Sequence, residues 1–121
     1  MLTRDDLNDL KTLYPGKKAA TYVAENFEIY IDIWREFFEL VGFPLDDAIA
    51  VASVLDPTLF EMSEPLFVDV AQGERLVRGQ TVAHRGRQIL PFEGPKTTRI
   101  CTNLDGRRFL QVFKSAIGAL A

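Results

Sequence analysis

Residues 43–52 read Phe43-Pro44-Leu45-Asp46-Asp47-Ala48-Ile49-Ala50-Val51-Ala52, two adjacent carboxylates at the head of an almost wholly apolar run. Between Ala48 and Leu55 the only polar side chain is Ser53. A helix with no wet face must be covered all round. Asp56-Pro57 ends it, because proline disfavours the helical conformation in the residue before it. At the other end, the positive pole of the helix dipole favours Asp46 and Asp47. One of the pair can cap the helix while the other is solvated; a metal ligand and a catalytic group are the competing roles. Calcium takes six to eight oxygens. Asp5, Asp6, Asp56, Asp69 and Asp105 are available, but no spacing among them resembles a calcium loop. Composition and spacing leave the pair undecided.

Upstream, Thr3 is placed to cap a first helix, with Asp6 reaching back three residues later in a variant of the capping box. Leu7, Leu10 and Leu13 form its apolar stripe, and Pro15-Gly16 stops it. A long second helix is predicted from about Lys18 to Val41, with Gly42 as its stop. Val23, Phe27, Tyr30, Ile31, Trp34, Phe37, Phe38 and Val41 recur at helical spacing; such a stripe can line a ligand pocket, but core packing is the commoner reading, with Asp32, Arg35, Glu36 and Glu39 as the wet face.

Downstream of Pro57 the period changes from helical to alternating. Pro65–Val70 and Gln80–His84 are predicted strands, linked through Gln72-Gly73-Glu74-Arg75 and its neighbours. A polar loop from about Arg85 to Lys96 precedes a third strand, Thr98–Leu104. Asp105 then caps a closing helix with Phe109, Phe113, Ile117 and Leu120 on one side. The expected fold is α+β: about four helices with a three-stranded antiparallel unit. The 121 residues form a single domain or domain fragment, undivided by any linker or repeat.

A chain that is 47% hydrophobic and 26% charged is globular in composition. A net charge of −3 argues against nucleic acid as partner. The basic residues from Arg75 to Arg87 read as a solvated hairpin face. The single cysteine, Cys101, excludes an intrachain disulfide and is expected to be a buried, inert thiol. The single histidine, His84, stands near a strand end, and nothing favours its pairing with Cys101. No apolar run reaches membrane-spanning length and no signal peptide opens the chain, so the expectation is a cytoplasmic protein without a membrane partner.

The stretch Pro44-Leu45-Asp46-Asp47-Ala48-Ile49-Ala50-Val51-Ala52, followed by Leu55-Asp56-Pro57, resembles the C-terminal part of the inosine/uridine-preferring nucleoside hydrolases. The corresponding family segment reads P-L-H-D-P-L-A-V-A, then D-P a few residues on. Leu2-Thr3-Arg4-Asp5-Asp6-Leu7 is similar to the family's "LTPEDL", Arg78-Gly79-Gln80-Thr81-Val82 to its "RGxTV", and Asp105 to Leu110 to its "vdxxrFL". Order and spacing together cover nearly the whole chain.

The resemblance implies the C-terminal part of a larger α/β fold and hydrolysis of the N-glycosidic bond of ribonucleosides. It also implies a calcium ion, held by aspartates, that binds the ribose hydroxyls and activates water. Asp47 falls on the family's calcium-ligating aspartate. Asp46 falls on the histidine that, in many members, helps to protonate the leaving base. An ordinary aspartate is ionised at neutral pH, so Asp46 is expected to be a poor acid there.

The family's N-terminal D-x-D-x-G-x-D-D motif and the ribose-contacting Asn and Glu residues have no counterpart in this sequence. The chain alone is therefore expected to be inactive and to hold no calcium tightly. A nucleoside becomes its substrate only when an N-terminal half completes it. The uncovered apolar helix predicts self-association, domain swapping or pairing with such a half. The aromatic residues expected nearest the site are Trp34, Phe37 and Phe38. Two further readings stand beside the hydrolase segment: a non-catalytic binding or oligomerisation module derived from the family, and an unrelated α+β protein whose Asp-Asp pair only caps a helix.

Overall fold

The computed structural model of the chain describes residues 1–73, 75–85 and 94–120. Glu74, Arg87 and most of the polar loop expected over 85–96 lie outside the described residues. The chain divides into two units: Met1–Leu59 with the segment from Asp105 onward, and Phe60–Leu104.

The first unit is helical. Helix α1 (Arg4–Leu13) begins at the capping box read from the sequence. Thr3 Oγ1 accepts from the Asp6 backbone N–H at 3.3 Å, and the Asp6 carboxylate accepts from the Thr3 N–H at 2.9 Å. Two N–H groups that the helix leaves without internal partners are thereby satisfied. Leu7 and Leu10 are buried, whereas Leu13 is exposed.

The long helix predicted over Lys18–Val41 forms as two, α2 (Lys18–Asn26) and α3 (Glu28–Phe38), joined at Phe27. The apolar period runs through the break, and neither Pro nor Gly marks it. Asn26 donates its side-chain amide to the Tyr22 carbonyl at 2.8 Å, a local bond of the kind that competes with the helical ladder. Helix α3 also stops earlier than expected. Glu39 adopts the left-handed conformation (φ 56°), and its N–H returns to the Arg35 carbonyl at 3.1 Å, closing the end with a left-handed cap. Val23 and Ile31 are buried, but Phe37, Phe38 and Val41 are exposed, so the predicted core stripe is core only in part. Asp32, Arg35, Glu36 and Glu39 are exposed, as a wet face should be.

Gly42 is no helix stop; it is a point of close approach. Leu2 and Phe43 exchange backbone hydrogen bonds of 2.8 and 2.9 Å beside it. A Cβ on Gly42 would stand 2.7 Å from the Leu2 carbonyl oxygen. Only glycine fits without displacing that pair.

Helix α4 (Asp46–Leu55) follows, then a 3₁₀ turn over Pro57–Leu59. Helix α5 (Gly106–Ala119) is capped by Asp105, which accepts from the Arg108 N–H at 3.0 Å. The core of this unit holds Leu2, Leu7, Leu10, Ala20, Val23, Ala24, Ile31, Leu45, Ala52, Leu59 and Phe109. Lys114 of α5 clasps α1 by reaching Asp6 at 3.0 Å and Asp9 at 2.8 Å. Burial alone would favour a neutral Asp6. Hydrogen bonds from Thr3 and Lys114 outweigh it and hold the carboxyl below its ordinary value. Lys114 is the counterpart: burial opposes its charge, but Asp9 and Asp6 raise its pKa.

Among its described residues, the second unit contains two two-stranded antiparallel sheets in place of the predicted three-stranded one. Strand β2 (Phe67–Val70) pairs with β3 (Thr81–His84), from Phe67 opposite His84 to Val70 opposite Thr81. Strand β1 (Phe60–Met62) pairs with β4 (Cys101–Leu104), with an irregularity between Glu61 and Met62. The expected third strand meets the expected first one only at the isolated bridge Leu66–Thr98. Its ladder lies with Phe60–Met62, a segment too short and too irregular in polarity to be read as a strand. Arg75, Arg78 and Arg85 are solvent-exposed.

Cys101 is exposed, contrary to the expected buried thiol. A two-stranded sheet leaves β4 with little to cover it, and three of its four residues are exposed. His84 stacks on Phe67 with ring centroids 5.0 Å apart, in a different sheet from Cys101.

Candidate functional site

The backbone pair between Leu2 and Phe43 fixes the start of α4, because only Pro44 and Leu45 separate Phe43 from its first residue. Phe43 is held on its other side by an aromatic cluster. Its ring lies 5.6 Å from Phe27 and 5.3 Å from Tyr30, and Phe27 and Tyr30 are 5.6 Å apart. Such edge and tilted contacts each contribute about 0.5–1.5 kcal/mol beyond the area they bury. Two anchors therefore place Asp46 and Asp47.

Leu45, whose side chain cannot cap, occupies the N-cap position, and no side-chain hydrogen bond closes the helix start. Neither aspartate caps. Both sit in the first helical turn, exposed, where the dipole favours their charge. One face of α4, carrying Leu45, Ala48, Ile49 and Ala52, turns inward and is buried or half-buried. The rest is open: Val51, Val54 and Leu55 are 59, 80 and 79% exposed. Asp56 follows α4. A Thr58 hydroxyl hydrogen bond is the main influence holding its carboxyl below the ordinary range, and Arg108, at 2.7 Å, adds to it against a slight burial.

Asp46 and Asp47 line an open groove of about 760 Å³, within the range of small-molecule sites. Tyr22 and Asn26 of α2, Phe27, Tyr30 and Phe43 line it as well. The groove thus offers carboxylate acceptors for hydroxyls or a cation beside aromatic faces for a flat apolar group. Two carboxylates supply at most about four oxygens, short of calcium's six to eight. Among the described residues, no group of three His, Cys, Asp or Glu side chains converges as a metal site would. The described residues do not make up a calcium site by themselves.

Residues 1–111 match the family described as inosine-uridine preferring nucleoside hydrolase. The chain belongs to that family. Among solved nucleoside hydrolases, it is similar to the purine-preferring ribonucleoside hydrolase from Gardnerella vaginalis, with 28% identity and a TM-score of 0.77 over 98% of this chain. It also shares the fold of the plant nucleoside hydrolase PpNRh1, with 22% identity and a TM-score of 0.75 over 97% of this chain. No curated protein sequence matches it. The chain spans about a third of the length of these nucleoside hydrolases, 35% and 37% respectively. No helix among the described residues is long and apolar enough to cross a membrane.

The nucleoside hydrolase resemblance singled out Asp46 and Asp47, and the structure brings both to one groove. The aromatic residues expected beside them are not in its lining. Trp34 instead stacks on Phe38, with ring centroids 4.5 Å apart. Tyr22, Asn26, Phe27, Tyr30 and Phe43 take that place. Tyr22, Asn26 and Tyr30 recur at four-residue spacing, which is the signal that could have found them.

Proposed function

We propose that the chain is the C-terminal segment of a calcium-dependent ribonucleoside N-glycosidase, inactive until the rest of the fold is supplied. The observation that carries this reading is the family match over residues 1–111, which includes the Asp46-Asp47 pair at the open groove. In the reaction, water oxygen bonds to the ribose carbon as the carbon–nitrogen bond breaks. The electron pair leaves with the base, which takes up a proton. Asp47 is the calcium donor contributed by this segment. Asp46, an acceptor where the family has an acid-capable histidine, orients water or a ribose hydroxyl. A cytoplasmic location accords with this reading, since the one cysteine has no disulfide partner within the chain.

The test is release of free base by the purified chain with calcium present. Inosine is tried first, because the 28% identical relative is described as purine-preferring, and uridine second. No turnover is expected. Turnover that Asp47→Ala abolishes would overturn the claim of inactivity.

A second reading, a non-catalytic binding or oligomerisation module derived from the family, is favoured by the open apolar side of α4. A homo-oligomer or a domain swap would then cover it. A stable oligomer of this chain that takes up no nucleoside hydrolase body would decide for the second reading.

A further inference from the structure

The groove beside α4 is one-sided in charge. Among its described lining residues Asp46 and Asp47 are the only charged side chains, with no Lys, Arg or His to balance them. The helical unit around it carries twelve Asp and Glu residues against eight Lys and Arg. The ion pairs among the described residues are made by Arg4, Lys11, Arg108 and Lys114, and none reaches Asp46 or Asp47. Five aromatic residues, Tyr22, Phe27, Tyr30, Phe43 and Phe113, line the same groove. Three of them, Phe27, Tyr30 and Phe43, form one cluster with ring centroids 5.3–5.6 Å apart.

An aromatic face attracts a cation within about 6 Å, because the ring quadrupole places negative charge there. Carboxylates beside such faces add to that attraction. A metal ion gains little from the rings, since it needs several oxygen donors. A charged organic ring uses both parts: its flat body packs on the aromatics and its charge meets the carboxylates.

We infer that the groove is a site for a flat organic cation, and that the matching substrates are ribonucleosides with a positively charged glycosidic nitrogen, as in a pyridinium base. The cation site stands on the groove alone; the choice of nucleoside rests on reading the chain as part of a ribonucleoside N-glycosidase. Asp47 is the calcium donor in that reading, which leaves Asp46 to meet the charge of the ring. A neutral base must gain a proton as it departs, and histidine, the side chain best matched to giving one near neutral pH, is absent from the described lining. A pyridinium base needs no such proton. Water oxygen bonds to the ribose carbon, the carbon–nitrogen bond breaks, and its electron pair cancels the charge on the ring nitrogen. The base leaves neutral, and the proton lost by the water passes to solvent. Asp46 then contributes through binding, with no proton to transfer.

The experiment titrates the 121-residue chain, with a chelator present, and follows its backbone amides by NMR. The matched probes are 1-methylnicotinamide, a flat pyridinium cation, and nicotinamide, the same ring without the charge. The cation is expected to bind about tenfold more tightly, with shifts centred on the groove residues of α2, α3 and the start of α4. Asp46→Asn keeps the shape, removes the charge, and should weaken cation binding about fivefold while leaving nicotinamide unchanged. Glu36→Gln removes the same charge from an exposed position outside the described lining and should alter neither. The riboside of nicotinamide should bind more tightly than uridine and more tightly than 1-methylnicotinamide.

Equal affinity for the charged and neutral rings, shifts outside the groove or no saturable shift overturns the inference. So does a loss of cation affinity that is the same in Asp46→Asn and Glu36→Gln. A charge preference that Asp46→Asn removes, with a riboside no tighter than 1-methylnicotinamide, upholds the cation site and removes the nucleoside reading alone.

Discussion

Gly42 shows how much a single missing side chain can hold. Any larger residue places a Cβ 2.7 Å from the Leu2 carbonyl oxygen, a backbone atom that cannot swing aside. Gly42→Ala should therefore cost about 1–3 kcal/mol, read as a lower midpoint in urea unfolding. The loss is concentrated at the Leu2–Phe43 pair, which sets the start of α4 and so the position of both aspartates. From the sequence, Gly42 reads as an ordinary helix stop, since glycine after an apolar stripe has that meaning most often. The close approach depends on a partner forty residues away, and no local pattern encodes it. Asp46 and Asp47 present the converse case. The order of flanking motifs singled out the pair, whereas the groove they share came only with the tertiary structure.

At the scale of elements, the clasp between α1 and α5 is the feature most open to measurement. Lys114 and Asp6 are each only 14% exposed in their side chains, so their attraction is less screened than that of a surface pair. Lys114→Met should cost about 2 kcal/mol, since it removes two charge-assisted hydrogen bonds and leaves Asp6 half-satisfied. Asp6 also fixes a pH dependence. Its pKa is lower folded than unfolded, so its contribution is fully present above the unfolded value near 4 and is lost as pH falls through the folded one. Urea unfolding between about pH 5 and 2 should show this decline, and Lys114→Met should make it shallower. Lys114, raised on folding, acts at the other limit: its contribution is complete below its ordinary value and fades only as strongly alkaline pH passes the folded one. Thr3→Ala removes one side of the capping box and should cost about 1 kcal/mol, with α1 the first helix to lose hydrogen-exchange protection.

Caps were readable because a Thr or Asp acts within three residues of itself. The division of α2 from α3 was not, because the apolar spacing passes unbroken through Phe27. Strand β1 was hidden for a related reason: its pairing with β4 joins segments about forty residues apart.

Across the whole molecule, the open stripe on α4 makes a prediction about the isolated chain. Val54 and Leu55 are 80 and 79% exposed, so Val54→Lys and Leu55→Lys should each move the chain's stability by less than about 0.5 kcal/mol in thermal unfolding. A clear loss would mean that the isolated chain already covers this face. The sequence by itself determined the family, the mixture of helices with antiparallel strands, and the caps of α1 and α5. Each of these rests on residues near one another in the chain, or on motifs in a fixed order. Only the tertiary structure decided which aromatic residues line the groove, why Gly42 is glycine, and that α4 is covered on one side and open on the other. Those properties depend on which distant segments meet, and a helix that is apolar all round carries no mark of which side its own chain will bury.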